Sequence, residues 1–257
     1  MTALRDQIER AADILRRARH VVAFTGAGIS TPSGIPDYRS PGSGLWENDD
    51  PYTVASLSAF RYHPERFFRW VRPLTARIFA AQPNVAHEAL VALEATGKLD
   101  AIITQNIDGL HQRAGSRKVL EVHGGLHTAT CGHCHRTILA TERLQKFVAD
   151  GELPICAACG GILKPNVILM EEQLPVAVFQ RARQAALGCQ VMLVLGSSLE
   201  VLPSAGLPME AINAGAQLIL VNIGSTYLDE RADVRIEGDL AIVLPEIVSL
   251  AGLSVNA

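Results

Sequence analysis

The chain has 257 residues, 48% hydrophobic, 19% charged and 5% aromatic, with 21 Gly and 13 Pro. That is enough for one large α/β domain or two modest ones, and too apolar and aperiodic for a disordered or fibrous chain. A net charge of −3 and a pI near 6.2 exclude the global basic field of a nucleic-acid or membrane-surface binder.

Residues 3–18 place Leu4, Ile8, Ala11, Leu15 and Ala18 on one helical face, so the chain is expected to begin with an amphipathic helix rather than a secretory signal. No uncharged apolar run reaches the ~18 residues of a membrane helix. A cytoplasmic protein with no membrane partner is expected. Residues 20–25 (HVVAFT) are a short apolar run stopped by Gly26-Ala27-Gly28, which predicts a buried strand feeding a glycine turn. Residues 36–52 (PDYRSPGSGLWENDDPY) predict a long loop, uncommon unless functional. Helical patterns at 86–95, 175–187 and 203–213 alternate with apolar runs at 100–104 (DAIIT), 119–122, 190–195 (QVMLVL) and 217–222 (QLILVN). Strands alternating with helices predict a mostly parallel, doubly wound sheet with its ligand at the carboxyl ends of the strands. Residues 124–164 break the alternation and are expected to form a small inserted module, with a helix at 141–150 for which Thr141 is the N-cap.

Cys131-x-x-Cys134 and Cys156-x-x-Cys159 are separated by 21 residues, and each pair lies in a glycine-containing knuckle. Two such pairs predict the four-thiolate shell of one structural zinc, in a reducing compartment. His133 and His135 lie beside the first pair and are expected at the surface, and Cys189 is expected in the core. The loop Gly26-Ala27-Gly28-Ile29-Ser30-Thr31 has Thr where a dinucleotide fingerprint wants its third glycine. Gly196-Ser197-Ser198 and Asn222-Ile223-Gly224 add small polar groups at two further strand ends, suited to phosphates and ribose. Thr104-Gln105-Asn106-Ile107-Asp108-Gly109 is either an ordinary turn or a set of amide and carboxylate groups at the sheet edge. His123, before Gly124-Gly125, is the best-placed base among the eight histidines.

In order along the chain, Gly26-Ala27-Gly28-Ile29-Ser30, Gly34-Ile35-Pro36-Asp37-Tyr38-Arg39, Thr104-Gln105-Asn106-Ile107-Asp108, His123-Gly124, the two Cys pairs and Gly196-Ser197-Ser198-Leu199 resemble the sirtuin family of NAD-dependent protein deacylases, over about residues 10–250. The resemblance implies a Rossmann-like large domain (about 1–40, 84–123 and 165–257) and a small zinc-binding domain built from insertions at 41–83 and 124–164. NAD and an acyl-lysine protein or peptide would meet between them, giving free lysine, nicotinamide and O-acyl-ADP-ribose. It implies that Gly26, Ala27, Gly28, Ile35, Asp37, Tyr38, Arg39, Gln105, Asn106, Ile107 and Asp108 surround the nicotinamide ribose and pyrophosphate. Gly196, Ser197, Ser198, Asn222, Ile223 and Asp239 would hold the adenosine half, and His123 would be the base, with Asn106 the second catalytic group. Val167, Ile168, Met170, Glu171 and Val201 would face the substrate. Tyr38 stands where the family usually has Phe, and Lys164, Met170 and Glu171 stand where it usually has Arg, Phe and Gly. No Tyr-x-x-Arg pair, the family's device for succinyl or malonyl groups, occurs between residues 41 and 85, so a neutral acyl group is expected, acetyl first. The competing readings are an NAD glycohydrolase or mono-ADP-ribosyltransferase, and a non-catalytic NAD sensor or zinc-ribbon binding module. The last is disfavoured because residues 124–164 carry only four Lys and Arg, too few for a nucleic-acid footprint.

Overall fold

The computed structural model describes residues 2–38, 44–47 and 49–253. In chain order the strands are β1 (Val21–Thr25), β2 (Leu99–Thr104), β3 (Val119–Glu121), β4 (Gly124–Cys131), β5 (Thr137–Leu139), β6 (Leu163–Val167), β7 (Val191–Leu195), β8 (Gln217–Val221) and β9 (Val234–Ile236). The helices are α1 (Thr2–Arg17), α2 (Pro51–Val54), α3 (Leu57–Tyr62), α4 (Pro64–Ala80), α5 (Val85–Ala95), α6 (Leu110–Ala114), α7 (Thr141–Asp150), α8 (Val176–Gly188), α9 (Leu207–Asn213) and α10 (Leu240–Leu250).

Six strands form one parallel sheet in the order β3-β2-β1-β7-β8-β9. All five side chains of β1 and of β7 are buried, which is why these strands are apolar without alternation. Successive residues nonetheless serve opposite faces. Val21 and Ala23 pack with α1, α5 and α10, whereas Val22 and Phe24 pack with α8 and α9. The strand order reverses direction at β1, so the carboxyl ends of β1, β2 and β7 open a crevice there.

A second sheet, β5-β4-β6, is antiparallel and shares a core with α4 and α7, where Phe68 and Phe147 meet edge to face at 5.1 Å. The helix expected at 141–150 is present, but Ala140 and not Thr141 is its N-cap. Ala140 is 1% exposed, donates to the His127 carbonyl and accepts from Leu144 N, so the first turn starts one residue early against the core. The pattern read as one helix over 203–213 divides into a single tight turn, Ser204–Gly206, and α9, which Pro208 opens. Among the described residues no helix is long and apolar enough to cross a membrane.

Candidate functional site

Two clefts meet at the carboxyl ends of the large sheet. One, of about 730 Å³, is bounded by Gly26, Ala27 and Gly28 after β1, Gly196, Ser197 and Ser198 after β7, and Asn222 and Ile223 after β8, with Asp37, Asn106 and Asp239. The loops after β1 and β7 nearly touch. A Cβ on Gly26 would stand 2.7 Å from the Gly196 carbonyl oxygen, and one on Gly28 would stand 2.8 Å from Gly196 Cα. Only glycine allows that approach, and the cradle it leaves between backbone and small hydroxyls fits an extended nucleotide. The other cleft, of about 740 Å³, is mainly apolar and is walled by Trp46, Phe67, Trp70, Val71 and Leu74 on one side. Val167, Ile168, Met170, Glu171 and Val201, the residues expected at the substrate, line it, together with Ile107. Tyr38, Gln105, His123 and Val201 face both clefts.

Two of the expected cofactor residues line neither cleft. Ile35 is buried in the core of the small sheet, and Asp108 lines neither cleft. The Asp108 carboxylate accepts from Ser30 Oγ at 2.7 Å and Leu110 N at 2.9 Å, and burial pushes its pKa up. Asp108 thus braces the β1 loop against the start of α6. Arg39 lies outside the described residues. Asn106 donates from Nδ2 to the Gly26 carbonyl at 3.0 Å and to Ser30 Oγ at 3.2 Å.

His123 sits where the large sheet passes into the small one. Its carbonyl accepts from Ile168 N at 2.8 Å, so the substrate-side segment is pinned to the histidine's own backbone. Gly124 has φ +69°, and a Cβ there would overlap the Asn166 carbonyl, so this turn requires glycine. His123 Nδ1 is 3.2 Å from the Gln105 carbonyl and Nε2 is 3.1 Å from Ser204 Oγ. Burial pulls the His123 pKa down to about 4, against the Gln105 carbonyl, which raises it, so the ring is neutral at pH 7. Sequence reasoning missed Ser204, because a serine after a proline carries no distinguishing signal.

The segment behind Ile168 is strapped to the small helices. Met170 N donates to the Ala55 carbonyl and Leu57 N to the Met170 carbonyl. Glu171 has φ +72° and accepts from Ser58 N at 3.0 Å and Ser58 Oγ at 2.5 Å, which holds its pKa down. Glu172 pairs with Lys164 at 2.8 Å. Arg183 is the only arginine lining the apolar cleft among the described residues, and it pairs with Glu210 at 2.6 Å. Arg66 and Arg69 are exposed, and Arg72 turns away to the Val148 and Ala149 carbonyls at the end of α7.

The four cysteine sulfurs of Cys131, Cys134, Cys156 and Cys159 lie within 4.8 Å of one another, with two pairs at 3.5 and 3.8 Å. Sulfurs about 2.3 Å from a shared tetrahedral zinc stand at about this spacing, and the donor set suits that ion. Backbone N–H groups of Cys134 and His133 bring the Cys131 thiol down to about 6, favouring the ligating thiolate. His133 and His135 are exposed, and Cys189 is buried, as expected.

The profile of the Sir2 family matches residues 26–203. The chain is 46% identical over 246 residues to NAD-dependent protein deacylase 2 of Archaeoglobus fulgidus, covering 95% of this chain and 96% of that one. A structure solved for the mechanism and regulation of Sir2 enzymes superposes with a TM-score of 0.91 at 45% identity, covering 96% of this chain and 98% of its own. A Sir2 enzyme bound to a myristoylated histone peptide superposes with a TM-score of 0.83 at 40% identity, covering 96% and 97%.

Proposed function

The chain belongs to the Sir2 family and is an NAD-dependent protein deacylase, and we propose that it prefers neutral acyl-lysines, acetyl first, with longer aliphatic chains accepted. The observation that carries this preference is the apolar cleft wall of Phe67, Trp70, Val71 and Leu74, whose one lining arginine among the described residues already holds Glu210. A succinyl carboxylate buried against that wall would lose its water without gaining a fork, a penalty of several kcal/mol. The myristoylated peptide in the related Sir2 structure supports room for long chains.

NAD supplies a ribose carbon that the acyl oxygen can attack once nicotinamide leaves. Gly26, Gly28 and Gly196 let the backbone approach its phosphates, while Ser197, Ser198, Asn222 and Asp239 take its adenosine half. Asn106, braced on Gly26 and Ser30, orients the reacting end. His123, neutral at pH 7, accepts a hydroxyl proton at Nε2 after nicotinamide has departed. A zinc ion, which Cys131, Cys134, Cys156 and Cys159 would hold, would have all four positions filled by thiolates and would serve structure alone. Thiolate ligation also supports a reducing compartment, the cytoplasm.

One peptide carrying either acetyl- or succinyl-lysine tests the preference. The acetyl form should show the higher kcat/KM, and a faster succinyl substrate would refute it. Nicotinamide release should depend on that peptide, and peptide-independent release would instead mark a glycohydrolase.

A further inference from the structure

His123 touches one group that no step above uses. Ser204 is fully buried in the tight turn before α9, and its Oγ lies 3.1 Å from His123 Nε2. Hydrogen-bond chemistry fixes the protons around it. The Gln105 carbonyl at His123 Nδ1 can only accept, so Nδ1 carries the hydrogen and the neutral ring has a bare lone pair at Nε2. Only a hydroxyl proton can satisfy that lone pair from Ser204. The same hydroxyl has a second acceptor, the Val201 carbonyl at 2.9 Å. That carbonyl also takes Ala205 N at 3.0 Å, so it keeps a partner when Ser204 turns away.

The oxygen of Ser204 is held from the far side as well. Gln105 Nε2 donates to it at 3.1 Å, and Ser197 Oγ donates to Gln105 Oε1 at 2.9 Å, which sets the amide with its NH₂ toward Ser204. Gln105 therefore grips His123 twice, directly through its carbonyl at Nδ1 and through Ser204 at Nε2. Ser197, at the head of this chain, faces the nucleotide cleft.

The geometry points to Ser204 as a positioning residue for the base: its hydroxyl caps Nε2 of resting His123 and swings to the Val201 carbonyl when that nitrogen is needed. In the resting state Ser204 donates to Nε2. When the hydroxyl turns to Val201, the Nε2 lone pair is open to the substrate's hydroxyl, and once the proton has moved the new Nε2–H is shared between the substrate oxygen and the Ser204 oxygen. The Ser204 proton never leaves its oxygen, and the ring is held in one orientation in both charge states. This assignment rests on the deacylase reading for its kinetic consequence but not for its structural one.

Imidazole-¹⁵N-labelled protein read by NMR at pH 7 should show His123 with Nδ1 protonated and Nε2 bare. A wild-type ring carrying its proton on Nε2 would overturn the assignment without any assay of activity. Ser204→Ala should lower kcat for deacylation about tenfold, the effect of one hydrogen bond on the transition state. KM for NAD should stay within about twofold, and exchange of labelled nicotinamide into NAD, which precedes the base's step, should stay near wild type. The His123 ¹⁵N signals should shift in Ser204→Ala, and Ser204→Thr, which keeps the hydroxyl, should restore both kcat and the signals. Unchanged kcat and unchanged signals in Ser204→Ala would refute the role. Should that variant fail to fold, the wild-type spectrum and Ser204→Thr decide. Absent peptide-dependent turnover in wild type would sink the deacylase reading and leave the tautomer result standing.

Discussion

On the role proposed for His123, His123→Ala removes the base while leaving the Ile168–His123 backbone bond in place. Deacylation should fall ~10²–10⁴-fold, with NAD binding by calorimetry close to wild type. Near-normal turnover would move the proton to another group. Glu171 is a second informative residue, because it holds a left-handed backbone conformation without being glycine. That conformation costs a side chain roughly 1–2 kcal/mol, and the two Ser58 bonds to the carboxylate offset it. Glu171→Ala keeps the strain and loses the bonds, whereas Glu171→Gly loses both. Denaturant unfolding should therefore rank Glu171→Ala about 1 kcal/mol below Glu171→Gly, and the opposite order would show that the strain is not felt. At this scale the cysteine ligands were fully legible, because their spacing encodes convergence on one ion. Ile35 and Asp108 were legible as motif members but not as a core residue and a bracing group, since a motif gives order along the chain and not the direction of a side chain. Ser204 was silent, because His123 and Gln105, the partners that give it a part in the site, lie 81 and 99 residues away in sequence.

Among the elements, the parallel strands were readable because burial on both faces demands continuous apolar runs. The ladder between β4 and β6 was not. Burial along β4 is irregular, and Pro165, paired with Ala129, can stand in β6 only because that strand is an edge. A buried polar seam joins α5, α6 and the centre of the large sheet. Asn84 caps α5 through Ala86 N and donates from Nδ2 to the Ile29 carbonyl, and its own N–H donates to His87 Nδ1. The His87 and His111 rings pack at 4.9 Å, and His111 Nε2 meets Thr25 Oγ1 at 3.0 Å. Burial lowers His87 to about 4 and His111 to about 3. Both are neutral in the folded protein, while the unfolded chain takes up protons below the ordinary value of 6.5, so stability is full above that pH and declines as pH falls toward 4. Each histidine should cost about 2 kcal/mol at pH 5 relative to pH 7.5. Urea unfolding at the two pH values measures this, and His87→Asn should flatten the dependence. A wild-type stability equal at both values would mean the rings are already charged or hydrated.

For the molecule as a whole, the zinc module and the helices over 51–80 share one core, and that core supplies Phe67, Val71, Val167 and Leu169 to the apolar cleft. Structural zinc can contribute ~10–16 kcal/mol of apparent binding energy to a small module. Cys131→Ala should therefore lose the metal and unfold residues 124–164, with increased hydrogen exchange there and little change in β1, β7 and β8. Activity should vanish indirectly, through loss of the peptide side, and a folded, active protein free of zinc by elemental analysis would end this account. The two clefts have a further consequence through the wall they share. Tyr38, Gln105, His123 and Val201 stand against a molecule in either cleft, so whichever ligand arrives first stills side chains that the second would otherwise have to order. Thermodynamic reciprocity then makes the sharpening mutual: by whatever factor acyl-peptide tightens NAD, NAD tightens acyl-peptide, so the nicotinamide nucleotide concentration should set how tightly a modified protein is held on this surface.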